Sequence, residues 1–172
     1  GFEEESKYNF YKAKKLCEHL INKGFELTFI STCQGVEGYV DDSIFATSII
    51  KLLTLEQQTK CTLLNKKYTL EQFLIILSKQ DAYIGMRLHG AILSLLAGIP
   101  ALNIAYEDKT LGIFEIMGLN KYCFSYKEDE IVWLNRVEIF INDYNYYLNK
   151  IEIITKEAAQ VVKQNFELLS KD

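Results

Sequence analysis

The chain has 172 residues, 49% hydrophobic and 13% aromatic, enough for one sizeable buried core of ordinary domain size. A net charge of −4 and a pI near 5.3, with lysines scattered among acids, leave no continuous basic surface, which argues against a nucleic-acid partner. The longest apolar stretch, Ala91 to Ala105, is interrupted by Gly98, Pro100 and Asn103 and falls short of the roughly 20 residues that span a bilayer, so a soluble, cytoplasmic chain is expected.

From Ser6 to Asn22 the apolar positions Phe10, Ala13, Leu16, Cys17, Leu20 and Ile21 recur at three- and four-residue spacing, which predicts an amphipathic helix with Gly24 as its C-cap. His19, among Lys14 and Glu18, falls on the solvated flank of that helix. Phe25 to Ser31 is short, aromatic and β-branched and reads as a strand, followed by a loop, Thr32 to Val40, that holds Gln34, Gly35 and Gly38. Asp41 or Asp42 caps a second helix running to about Leu53.

Cys61 to Leu64 reads as a short strand, and Thr69-Leu70-Glu71-Gln72 has the pattern of a capping box that opens a helix to Ser78. A brief buried strand, Ala82 to Gly85, precedes a helix of small and apolar residues, His89 to Ala97, which Gly98 and Pro100 stop. Ala101 to Ala105 is another buried strand, and Lys109 to Met117 a helix ending at Gly118. From Asp129 to Leu169 there is no glycine or proline. Apolar residues there recur at helical spacing (Ile131, Leu134, Val137, Ile141, Tyr144, Leu148), so residues 129–172 are expected to form one or two long helices.

Strands that alternate with helices and are apolar throughout predict an α/β fold with a doubly wound parallel sheet, and residues 1–172 read as a single Rossmann-like domain. Such a domain normally opens with its central strand. Here a helix comes first, which fits a piece of a longer protein. Cys17, Cys33, Cys61 and Cys123 are far apart and make no CxxC pair, so they read as free thiols in a reducing compartment. No His/Asp/Glu cluster has metal-ligand spacing, so neither a metal nor a cofactor is expected.

Chemistry concentrates in Ile84-Gly85-Met86-Arg87-Leu88-His89-Gly90, where a strand hands over to a helix. The free N–H groups and positive dipole end of that helix point where the Arg87 guanidinium points, a combination suited to a phosphate or carboxylate. His89 can exchange a proton with a group bound beside it, because an imidazole titrates near working pH. Tyr106 and Lys109 follow the next strand and should emerge on the same carboxyl edge of a parallel sheet. Gln34 is a further candidate to line such a cleft. Tyr144, Tyr146 and Tyr147 read as core or interface rather than a sugar-stacking platform.

The wider pattern runs from Ile84 to Leu119: Ile84-Gly85-Met86-Arg87-Leu88-His89-Gly90-Ala91, then Ala97-Gly98-Ile99-Pro100 through Tyr106, then Lys109. It resembles the C-terminal half of the polysaccharide pyruvyl transferase family, in which an R-L-H turn, an A-G-x-P turn and a tyrosine followed shortly by a lysine occur in this order. The likeness covers roughly Phe25 to Leu119. It implies a two-domain fold of the GT-B glycosyltransferase type, with this chain as the C-terminal half and an N-terminal domain as its partner. It also implies transfer of the pyruvyl group of phosphoenolpyruvate to hydroxyls of a saccharide or lipid-linked saccharide, in a membrane-proximal assembly that builds cell-surface polysaccharide.

By that likeness Arg87 binds the carboxylate or phosphate of phosphoenolpyruvate, and His89 contacts the phosphate or acts as the acid. Gly90, Lys109, Tyr106 and Gln34 complete the substrate-binding set. Two other readings stand beside it. A glycosyltransferase or nucleotide-sugar enzyme of the same architecture would hold a sugar diphosphate at the Arg87–His89 turn and use Glu107 and Asp108 on the ribose. A flavodoxin-like interaction domain would use Asp41, Asp42 and Lys109.

Overall fold

The computed structural model describes residues 2–31 and 41–169. The fold is α/β, its strands are parallel, and the chain divides into two compact units, Gly1–Tyr68 with Glu128–Asn135, and Thr69–Lys127 with Arg136–Asp172. Among the described residues no helix is long and apolar enough to cross a membrane.

The first unit holds α1 (Phe2–Asn22), β1 (Leu27–Ile30), α2 (Asp42–Leu52), α3 (Leu55–Gln58) and β2 (Cys61–Leu64). α1 ends two residues before Gly24, as the sequence predicts, although His19 is half-buried rather than solvated. Asp41 is the N-cap of α2, its carboxylate accepting from the Ser43 N–H at 2.8 Å. β1 and β2 pair in parallel from Leu27 opposite Cys61 to Ile30 opposite Leu64. Cys17, Ile49 and Leu53 are buried together, with Phe10, Ala13, Ile21, Leu27 and Phe29 packed on them. Burying side chains of this size stabilises by about 1.5–3 kcal/mol each. Lys12 is buried too: its ammonium donates to the Glu128 carbonyl at 2.9 Å and lies 4.7 Å from the centre of the Trp133 ring.

The second unit holds α4 (Leu70–Leu77) and then an unbroken alternation, β3 (Tyr83–Gly85), α5 (Leu88–Leu96), β4 (Ala101–Ala105), α6 (Asp108–Ile116) and β5 (Cys123–Ser125). A 3₁₀ turn at Asn120–Tyr122 leads into β5. α7 (Glu130–Asn142) and α8 (Tyr144–Leu169) close the chain. The three strands form one parallel sheet in the order β3-β4-β5, with Gly85, Asn103 and Cys123 in register across it. β4 is buried at all five positions, as a central parallel strand must be.

α5 and α6 stop in the same way. Gly98 (φ +79) and Gly118 (φ +64) adopt the left-handed conformation that side chains resist, and the next amides, Ile99 and Leu119, reach back to the carbonyls of Ser94 and Phe114. On the far side of the sequence, Tyr147 of α8 is fully buried and stacks on Tyr122 with ring centres 3.8 Å apart.

The expectation of one doubly wound sheet holds in part. The strands are parallel and joined through helices, but among the described residues they lie in a two-stranded and a three-stranded sheet, one in each unit. α3 and β5 were not expected; with four and three residues, neither is long enough to establish a period.

Candidate functional site

Two helices of the second unit begin at the carboxyl edge of the three-stranded sheet, α5 after β3 and α6 after β4. Their N-termini differ from those of α2, α3 and α4, where Asp41, Thr54 and Thr69 each bond a first-turn amide with their side chains. The N-cap residues of α5 and α6 are Arg87 and Glu107, and neither side chain caps a first-turn amide of the helix it opens. An α-helix leaves its first amides without intrahelical acceptors and carries about half a positive charge at that end. At α5 the residue at this end is itself an arginine.

Arg87 is half-buried and extended in backbone (φ −83, ψ 116). His89, one residue into α5, is exposed, and Gly90 is buried. These three expected site residues therefore stand on one turn. Tyr106 follows β4 directly and is 43% exposed, and Lys109 is exposed in the first turn of α6, so both follow the strand that neighbours the one leading to Arg87. Gln34 lies outside the described residues.

Lys109 is engaged locally: its ammonium lies 2.7 Å from the Glu107 carboxylate. The hydrogen bond to Glu107 holds the Lys109 ammonium above its ordinary titration range, so it stays charged. The same ion pair occupies Glu107, one of the two acids that a ribose-binding reading requires.

The structure also supplies residues that sequence reasoning passed over. Tyr83 packs its phenol against both Gly85 and Gly90. Its hydroxyl donates to the Arg87 carbonyl at 3.3 Å. The available signal was a tyrosine two residues before the first of two glycines that bracket a charged turn. Asn103, in the middle of β4 and in register with Gly85, is fully buried, and neither polar atom of its side chain has a hydrogen-bond partner.

Among the described residues cysteine chemistry finds no support. Cys17, Cys61 and Cys123 are free thiols, burial pushes Cys17 and Cys123 up to about 12, and Cys61 is raised for the same reason. Cys33 lies outside the described residues.

A family model described as polysaccharide pyruvyl transferase matches residues 2–108, a span that contains Arg87, His89, Gly90 and Tyr106 and ends one residue before Lys109. The amylovoran biosynthesis protein AmsJ of Erwinia amylovora is 32% identical over 106 residues, which is 61% of this chain and 25% of that protein. The chain thus spans about a quarter of the length of this curated relative. No solved structure matches it.

Proposed function

The chain belongs to the polysaccharide pyruvyl transferase family, and from that premise we propose that the turn at the start of α5 is the donor site of an enzyme that transfers the pyruvyl group of phosphoenolpyruvate to saccharide hydroxyls during exopolysaccharide synthesis. Arg87 and the first-turn amides of α5 clamp the carboxylate or phosphate of the donor. His89 is the acid. The acceptor is a saccharide or lipid-linked saccharide, and the reaction takes place in the cytoplasm, close to the membrane. The chain is the C-terminal part of a two-domain enzyme of GT-B type, with the N-terminal part contributing to the cleft.

The chemistry asks for these groups. Adding a hydroxyl across the enol double bond places oxygen on C2 and a proton on C3, and that proton must come from a donor. Displacement of phosphate from C2 by a second hydroxyl then closes a ketal and releases inorganic phosphate. The first step develops positive charge at C2, beside the bound phosphate, and the second develops negative charge on the departing phosphate, which fixed donors and a guanidinium stabilise. Lys109, Tyr106, Gly90 and Gln34 belong to the same substrate-binding set.

The observation that supports this reading best is the coincidence of half-buried Arg87 and exposed His89 at a helix N-terminus without a side-chain cap, on the carboxyl edge of a parallel sheet. Titration calorimetry of the full-length protein with phosphoenolpyruvate tests it, with a uridine nucleotide sugar and free phosphate as controls. Saturable phosphoenolpyruvate binding is expected, and Arg87→Ala should abolish it with little change in melting temperature. A loss of several kcal/mol of stability would instead mark Arg87 as a structural ion.

A further inference from the structure

The turn that carries Arg87 and His89 is built around a side chain outside it. A Cβ on Gly85 would lie 2.6 Å from Cζ of Tyr83, and one on Gly90 would lie 2.8 Å from the same atom. Real Cβ atoms essentially never come this close to a ring. Gly85 ends β3 and Gly90 lies in the first turn of α5, so strand end and helix start are both glycine for the sake of one phenol. The hydroxyl of that phenol donates to the Arg87 carbonyl at 3.3 Å, the same oxygen that accepts the Ala91 N–H at 3.2 Å to begin the helical bonding of α5. One oxygen is thereby shared between the ring and the helix.

We infer that Tyr83 is the positioning residue of the donor site, fixing the Arg87 backbone so that the guanidinium and the first amides of α5 meet the same anion. The inference rests on reading this turn as the phosphoenolpyruvate site. It explains why the phenol lies on three successive parts of one turn: the strand end, the N-cap carbonyl and the first helical residues. Tyr83 acts through Arg87 and is not required to touch the substrate. The ring determines the space available, and the hydroxyl determines where the shared carbonyl sits.

Two measurements on the full-length protein test this: phosphoenolpyruvate affinity by calorimetry, and amide hydrogen exchange across residues 86–116. Tyr83→Phe keeps the ring and removes one hydrogen bond, so affinity should fall about fivefold. Exchange of the Ala91 amide, which bonds to the shared carbonyl, should quicken by a similar factor, with α6 unchanged. Gly90→Ala should weaken binding more severely, and adding Tyr83→Ala to that variant should recover part of the loss, because the collision partner is gone.

Wild-type affinity in Tyr83→Phe would overturn the inference, as would a double variant that binds no better than Gly90→Ala. Exchange that quickens equally in α5 and α6 would reduce Tyr83 to general packing and overturn it too. If the wild-type protein binds no phosphoenolpyruvate, the donor reading is what fails. Positioning is then decided by exchange alone, supported by a change at Ala91 that α6 does not share and overturned by none.

Discussion

The phenol of Tyr147, in α8, donates to the carbonyl of Ala101, the first residue of β4, at 2.7 Å. The bond is buried, and the same ring stacks on Tyr122 and meets Phe140 edge-on. The long C-terminal helix is thus fastened to the central strand of the sheet that carries the site. Tyr147→Phe keeps the stack but leaves a buried carbonyl short of a donor. It should cost about 1–2 kcal/mol of unfolding free energy in urea titrations. A loss below a few tenths would show that the packing, not the hydrogen bond, fastens α8.

His89 is exposed in the first turn of α5, so little stability depends on it. His89→Asn should keep phosphoenolpyruvate affinity within about tenfold while reducing turnover of the full-length enzyme by 10² or more, since it removes the proton and retains a polar side chain. Turnover equal to that of the wild type would remove His89 from the mechanism.

Alkali should unfold the protein through groups that folding keeps neutral. Burial raises Cys17 and Cys123 from about 9 to about 12, raises Tyr122 to about 12, and raises Tyr147 as well. Each is an acid whose folded value exceeds its unfolded one, so its contribution is fully present below the unfolded value and is lost as pH rises through this window. Urea midpoints should change little on account of these groups between pH 7 and about 8.5 and fall from about pH 9 upward. By pH 10 the loss should be on the order of 1 kcal/mol per thiol. A midpoint that held constant to pH 11 would mean that these thiols ionise in the folded protein.

Asn103 sits at the centre of β4 with both side-chain polar atoms buried and unpartnered. Such an amide has given up water without gaining a bond, a cost of about 1–3 kcal/mol. Asn103→Val, close in volume and β-branched, should leave the melting temperature unchanged or raise it by a few degrees. A fall of several degrees would show that the amide is bonded in solution.

Local signals were legible in the sequence where they were self-contained. The capping box at Thr69 and Gln72 forms as read and opens α4, with Ser78 at its far end. β2 and β4 have the expected limits, because each is a short apolar run bounded by turn residues. Arg87, His89 and Gly90 fall on one turn because a strand and a helix flank them directly, and nothing distant was needed to bring them together. What escaped depends on tertiary contact. Tyr83 looks like an ordinary strand aromatic until the two glycines that receive its ring are seen on either side of it. The Glu107–Lys109 pair is two residues apart, yet it forms only because the start of α6 turns both side chains to one side. β5 is three residues long and is defined by its neighbour β4 more than by its own composition.

The glycine stop at Gly98 fixes the rear end of α5 as firmly as the Tyr83 clamp fixes its front. Between them the helix runs nine residues, Leu88–Leu96, about two and a half turns. Its length therefore sets a rotational phase: removing or adding one residue between His89 and Gly98 would swing the imidazole by about 100° around the helix axis relative to the strand that follows. An insertion of that kind would preserve composition, hydrophobicity and helix propensity almost unchanged and still turn the proposed acid, together with Arg87, away from Tyr106 and Lys109, which follow β4. In this segment residue count carries as much information as residue identity.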